Sequence, residues 1–392
     1  MGPCASSGCS PRNRTGQGQL RTAQDTAGRA LCYSEGAREL LEEARPWVDQ
    51  IIIGDCGSQE GSLQAAISGG ARVIPVVWED DFSLARNTVL EQCTARWILT
   101  LGADEKISLT DWKQLRAWTE GQSSQQAPPA ARLECRKYLP GHYTQPGWRP
   151  VSKQDTHNLP GGAPAAGFIP RRKIRLFPNG KGIHFSDCIH EKVDASVFSS
   201  GLAVVNLPLT VHHFGKMQNN PLRDKQHLKL ARIRASRHPH SPTAWSDLAD
   251  CATTCGLYPD ALAALDRALV LEPGNINRRL LAGFLLKESG FLQQANLQLN
   301  AVAGSAGISD DQLARACHLR AEVALSLGHS DRVSHLLGVA IRLQPGNGHL
   351  YKTLALWHQK EKRADAERSA LVKAASLLGE KDISVQPVLS SR

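Results

Sequence analysis

At 392 residues the chain has room for two ordinary domains, and 41% apolar against 21% charged residues exclude a chain disordered throughout. A formal charge of +9 suits an anionic ligand such as a sugar diphosphate, an anionic membrane surface, or simply a solvated basic exterior. No apolar run approaches the roughly 18 residues of a membrane span. Residues 1–30 lack a signal peptide's apolar core, and ten cysteines without metal-like or disulfide-like rhythm point to a reduced, cytoplasmic protein.

In chain order, residues 1–30 are rich in Gly, Ser, Thr, Arg and Gln and are expected to be a disordered tail. A helix is expected over Glu35 to Ala44, with Leu40 and Leu41 facing inward and Pro46-Trp47 ending it. In D-Q-I-I-I-G-D the three β-branched isoleucines form a buried strand that stops at Asp55. Gly57 and Ser58 turn the chain into a helix over Leu63 to Ile67. A second strand at Val73 to Val77 leads into W-E-D-D-F-S-L-A-R-N and a helix through Cys93. A third strand, R-W-I-L-T-L, ends in Gly102-Ala103-Asp104-Glu105. Strands alternating with helices, with polar residues after each strand, predict a parallel α/β sheet that binds its ligand at the carboxyl edge.

A helix over Thr110 to Glu120 and a strand over Leu133 to Leu139 follow. The polar, Gly- and Pro-rich stretch from Pro140 to Pro170 reads as a mobile lid or a disordered surface loop. Beyond it stand R-R-K-I-R-L-F-P-N-G-K-G-I-H-F-S-D-C-I-H-E-K-V and T-V-H-H-F-G. From Ser241 the chain becomes rich in Ala and Leu with a repeat. Trp245, Gly256, Tyr258, Ala261, Leu265, Ala268 and Pro273 fit the tetratricopeptide pattern, and Gly283, Gly290, Ala295 and Leu299 follow in the same register. After a short insertion Ala321, Gly328, Leu337, Ala340 and Pro345 make a third copy, and Tyr351 to Ala374 a fraying fourth.

The stretch from Asp49 to Glu105 resembles family 2 glycosyltransferases of the GT-A fold, in the subgroup carrying tetratricopeptide repeats. Their usual form reads D-E-I-I-V-V-D-T-G-S-T-D, then W-x-D-D-F-S-x-A-R-N, then W-I-L-x-L-D-A-D-E. The later segments resemble the family's R-L-F-R-N…F-x-G-x-I-H-E and I-x-H-Y-G. Two departures stand out. Gly102 replaces the first aspartate of the D-A-D triplet. The apolar first strand ending in Lys-Asn-Glu is replaced by R-T-A-Q-D-T-A-G-R-A-L-C-Y-S, which implies a strand lost, altered, or encoded further upstream.

The resemblance implies a GT-A-like α/β domain with a Rossmann-like mixed sheet over 31–223, its first strand incomplete. A linker helix over 224–240, all-α tetratricopeptide-like repeats over 241–380 and a disordered tail over 381–392 would follow. It implies an inverting transfer from a nucleotide-sugar donor to a saccharide, lipid-linked or protein acceptor. The alternative is a degenerate domain whose surviving role is protein binding through the repeats. In the family's terms Asp55 contacts the base, Arg86 and Asn87 lie near the donor, and Asp104 with His213 holds a divalent cation, magnesium or manganese. Glu191 is the general base, with His190 beside it structural, while His212 would take the place of His213 if the register shifted by one residue. Asp80 and Asp81 match the family, and one of them starts a helix. No nucleic-acid partner or membrane span is implied. An extended 102–104 segment would aim two carboxylates at one cation, so restoring an aspartate at 102 is expected to strengthen metal-dependent binding.

Overall fold

The computed structural model describes residues 26–31, 37–57, 60–122, 124–139, 147–151, 165, 167–217 and 220–378. The expected tails over 1–25 and 381–392, and most of 140–166, lie outside the described residues.

The N-terminal half is built on one mixed sheet. β1 (Thr26–Leu31), β2 (Gln50–Asp55), β3 (Arg72–Pro75) and β4 (Trp97–Thr100) run parallel in the order β3-β2-β1-β4. Helices α1 (Ala37–Ala44), α2 (Glu60–Ser68) and α3 (Phe82–Leu90) are the crossovers that parallel strands require. The stretch read as a tail and as a missing first strand is therefore corrected. Thr26–Leu31 forms a strand inserted between β2 and β4, so those two are not direct neighbours. Its T-A-G-R-A-L composition carries no β-branched run beyond Thr26. Pairing on both sides defines this strand where intrinsic preference does not.

β5 (Glu105–Ile107), α4 (Leu109–Gly121), β6 (Ala130–Leu139), β7 (Arg149–Pro150), β8 (Gly167–Pro178), α5 (Asp194–Ser199) and β9 (Val204–His213) complete this half. The sheet continues β4-β8-β6-β9-β5, with β8 antiparallel to both β4 and β6. Period-two alternation along β4 sends Trp97 and Leu99 to a core with Leu40, Trp112 and Leu115, and Ile98 to another with Ala85, Val89 and Phe177. Part of the expected 140–170 loop is ordered: Trp148 packs flat on Gly167, where a Cβ would strike its indole ring, and β8 already starts at Gly167.

The expected linker helix starts earlier, as α6 (Pro221–Arg237), capped by the Asn220 side chain. Eight helices follow in four pairs: α7 (Pro242–Thr254) with α8 (Tyr258–Leu271), α9 (Ile276–Glu288) with α10 (Leu292–Ala303), α11 (Asp310–Leu327) with α12 (Ser330–Leu343), and α13 (Gly348–Lys360) with α14 (Ala364–Leu378). Ala261, Leu265, Ala268, Ala295, Leu299, Ala321, Leu337 and Ala340 are all fully buried. At Gly283 a Cβ would lie 2.5 Å from the Leu299 side chain, so the glycine sets how closely α9 and α10 approach. Gly256, Gly290 and Gly328 turn one helix into its partner with φ of 72°, 81° and 77°. The fourth pair makes the same turn at Lys362, φ 56°.

A left-handed lysine costs about 1–2 kcal/mol, of which glycine's greater unfolded freedom would return roughly half. Lys362 is exposed. Lys362→Gly is expected to stabilise the chain by about 0.5–1 kcal/mol, seen as a higher thermal midpoint. An unchanged or lower midpoint would contradict the strain assignment.

Candidate functional site

The site begins with a buried ion pair. Glu105 is 3% and Arg175 8% exposed, and the Arg175 Nη2 pairs with Glu105 Oε1. Arg175 Nη1 donates to the Thr100 carbonyl at 3.3 Å and its Nε to Cys135 Sγ at 3.4 Å. The other Glu105 oxygen accepts from the Gly102 N–H at 2.5 Å. Burial alone would raise the Glu105 pKa; Arg175, and then His213, hold it below the usual glutamate range. Burial opposes the charge on Arg175 too, and Glu105 reverses that and pushes its pKa up.

This pair folds 102–105 into a turn, closed by the Glu105 N–H donating to the Gly102 carbonyl at 3.0 Å. The extended arrangement expected for 102–104 is thereby corrected. A Cβ on Gly102 would sit 2.8 Å from Asp104 Oδ1, because the Asp104 carboxylate folds back over that glycine. Asp104 Oδ2 lies 3.2 Å from His213 Nε2, and the Phe214 N–H donates to the Asp104 carbonyl at 2.8 Å. A Cβ on Gly215 would collide with the Asp104 carboxylate, which is why glycine follows Phe214. Strand alternation separates the two histidines. His212 is 3% exposed, paired with the Tyr138 hydroxyl at 2.9 Å and stacked on that ring, leaving His213 for the site.

Asp55 ends β2, parallel to β4, and so stands on the same carboxyl edge as Asp104; its carboxylate accepts from the Gly57 N–H at 3.3 Å. Arg86 of α3 meets Glu191 at 2.5 Å, with both side chains about 15% exposed, and its guanidinium lies over Phe185. Burial would raise the Glu191 pKa, yet Arg86 keeps it below the usual range. The two pairs are neighbours, since Glu191 lies within charge range of Lys173 and Arg175.

Asn87 does not join them. Its amide donates to the Phe185 carbonyl at 3.0 Å and accepts from the Phe185 N–H at 2.7 Å, so it fixes the 185 loop where donor contact was expected. Asp81 caps α3 through Ser83 and Leu84 N–H, and Asp80, at φ 54°, pairs with Lys229 of α6. Sequence reasoning missed Arg175, Lys137 and Lys173, whose signal was a run of cations inside strands otherwise apolar.

Asp104 and His213 form a two-residue site. Among the described residues no group of three or more His, Cys, Asp or Glu could hold a metal ion. Hard cations are commonly held by one or two carboxylates together with substrate phosphates. The pair thus fits a cation arriving with an oxyanion.

No family model matches the chain. A tetratricopeptide-repeat-containing protein of Synechococcus elongatus is 30% identical over 182 residues, which is 45% of this chain and 38% of that protein. The chain thus spans under two-fifths of that relative's length. MamA from Desulfovibrio magneticus aligns with 18% identity and a TM-score of 0.36, over 41% of this chain and 88% of its own. A thermophilic repeat protein of Thermus thermophilus aligns with 19% identity and a TM-score of 0.35, over 41% and 85%. The paired helices, their left-handed turns and the repeat-containing relative identify the C-terminal half as a tetratricopeptide-like array. No helix among the described residues is long and apolar enough to cross a membrane.

Removing one partner of a buried ion pair costs about 3–5 kcal/mol. Glu105 has its folded pKa lowered, so the pair's contribution is complete above the ordinary glutamate value and is lost as pH falls through the depressed one. Arg175→Met is expected to destabilise by about 3–5 kcal/mol at neutral pH and by less in acid. Urea unfolding at both pH values checks this; a gap independent of pH would contradict it.

Proposed function

We propose that the N-terminal half is a glycosyltransferase domain that binds a nucleoside diphosphate sugar along the carboxyl edge of its parallel strands. The repeat array is proposed to hold a polypeptide partner or acceptor. One observation carries the reading: Asp55, Asp104 and His213, far apart in sequence, stand on one sheet edge, and Glu191 of the Arg86–Glu191 pair is within charge range of the Arg175 that anchors it. Crevices at the carboxyl ends of parallel strands are where such sheets bind ligands.

In this reading Asp55 contacts the nucleoside, and Asp104 with His213 would hold a divalent cation. Such a cation, when bound, offsets charge on the departing diphosphate. Glu191 accepts the acceptor's proton. Arg86 keeps that carboxylate ionised and aimed, at the expense of basicity, since proton acceptors work best with a pKa near the working pH.

That same pairing favours a second reading, a non-catalytic domain attached to a protein-binding array. The single carboxylate of the 102–104 turn also favours it, and so does the relative's description as a repeat-containing protein.

Calorimetric titration of uridine and guanosine diphosphates, with and without manganese, separates the two. Manganese is expected to tighten binding of one of them, and Asp104→Asn to weaken the manganese-dependent part by roughly one to two decades, the worth of a charge-assisted contact. Gly102→Asp is expected to weaken it as well, because the new side chain displaces the Asp104 carboxylate from His213. Failure of either nucleotide to bind under any condition would favour the scaffold.

A further inference from the structure

The carboxylates around the site are nearly all engaged. Glu105 is held by Arg175, Glu191 by Arg86, Glu134 by Arg136 and Asp224 by Lys216. Two lysines in the middle of this arrangement have no ion-pair partner among the described residues. Lys137 stands directly beside His213 in the β6–β9 register, and His213 is itself opposite Glu105 in the β9–β5 register. Lys173 precedes Arg175 by two residues on β8 and pairs in register with Leu133 of β6. It lies within charge range of both Glu105 and Glu191.

Lys137 is half-buried, and burial with Lys216 and Lys173 nearby pushes its pKa down to about 8, whereas Lys173 is exposed. Asp250 of α7 is in charge range of Lys137 and Arg171 and offsets one of these cations. Lys137, Lys173 and Arg171 still leave an excess of positive charge on rigid strands. Holding like charges together on neighbouring strands is unfavourable unless an anion completes the site.

We propose that Lys137 and Lys173 form an oxyanion site beside the Asp104–His213 pair, which binds the diphosphate of a nucleotide without requiring a metal ion. The oxyanion chemistry stands on the lysines; only the identity of the nucleoside rests on the proposed function. Two preorganised ammonium groups supply the charge that the missing carboxylate at position 102 can no longer bring in through a cation.

The test is calorimetric titration of the full chain in excess chelator with inorganic pyrophosphate and with uridine and guanosine diphosphates. All three are expected to bind, one nucleotide more tightly than pyrophosphate, and Lys137→Met and Lys173→Met each to weaken binding about tenfold. Lys137→Arg and Lys173→Arg are expected to keep most of it, which separates lost charge from lost packing. Lys173 is exposed, so its variants test the site even if those at the half-buried Lys137 fail to fold. Binding only with manganese and indifferent to both lysines would overturn this proposal and leave the nucleotide reading intact. Lysine-dependent binding of pyrophosphate with no preference for either nucleotide would keep the oxyanion site and overturn the nucleotide reading. Absence of binding by all three anions would overturn the site.

Discussion

The Glu105–Arg175 pair is the constraint on which the rest of the edge depends. Two opposite charges this deeply buried give up most of their hydration. They persist because Thr100, Gly102 and Cys135 meet the remaining donors and acceptor. Through those bonds one guanidinium ties β4, β6, β8 and the 102–105 turn together. The turn presents Asp104, the β5–β9 register presents His213, and the strand that supplies Arg175 also carries Lys173 two residues away. Position along the sheet, more than local sequence, gathers these groups.

Much of this could be read in the sequence, and the failures have physical causes. The isoleucine run of β2 and the W-I-L-T strand of β4 are self-declaring, since β-branched and apolar residues at strand spacing leave little choice. The family motif pointed to His213 but left His212 one register step away; the Tyr138 partner of His212 separates them. β1 was illegible because its neighbours impose it. Asn87 looked like a ligand contact because a motif records which residue is present, not which partner saturates it; here the Phe185 backbone takes both ends of the amide. The 102–104 geometry was misjudged because the force bending it, Arg175, lies far along the chain. The repeats were legible because small residues every 34 positions are a packing requirement, though Lys362 shows that a repeat keeps its turn after losing the glycine.

The two halves meet through specific contacts. Arg234 of α6 pairs with Asp187 of the N-terminal half at 3.2 Å and with Asp247 of the first repeat. Lys229 pairs with Asp80 at 2.6 Å, beside the start of α3. Further along, the Trp148 ring meets His349 of α13 edge-on at 5.7 Å. With Asp250 in charge range of Lys137 and Arg171, the first repeat contributes to the electrostatics of the sheet edge as well as to its own core. A polypeptide held by the array would therefore lie close to the proposed transfer site.

The carboxyl edge of the sheet is proposed to be a nucleoside diphosphate site. Hydrogen–deuterium exchange with and without saturating uridine or guanosine diphosphate tests it most directly, because it reports location as well as binding. Slowed exchange is expected in peptides covering residues 50–57, 97–105 and 170–176, with the repeat helices beyond α7 unchanged. Protection confined to the repeats, or none at those three segments under conditions where the nucleotide binds, would contradict it.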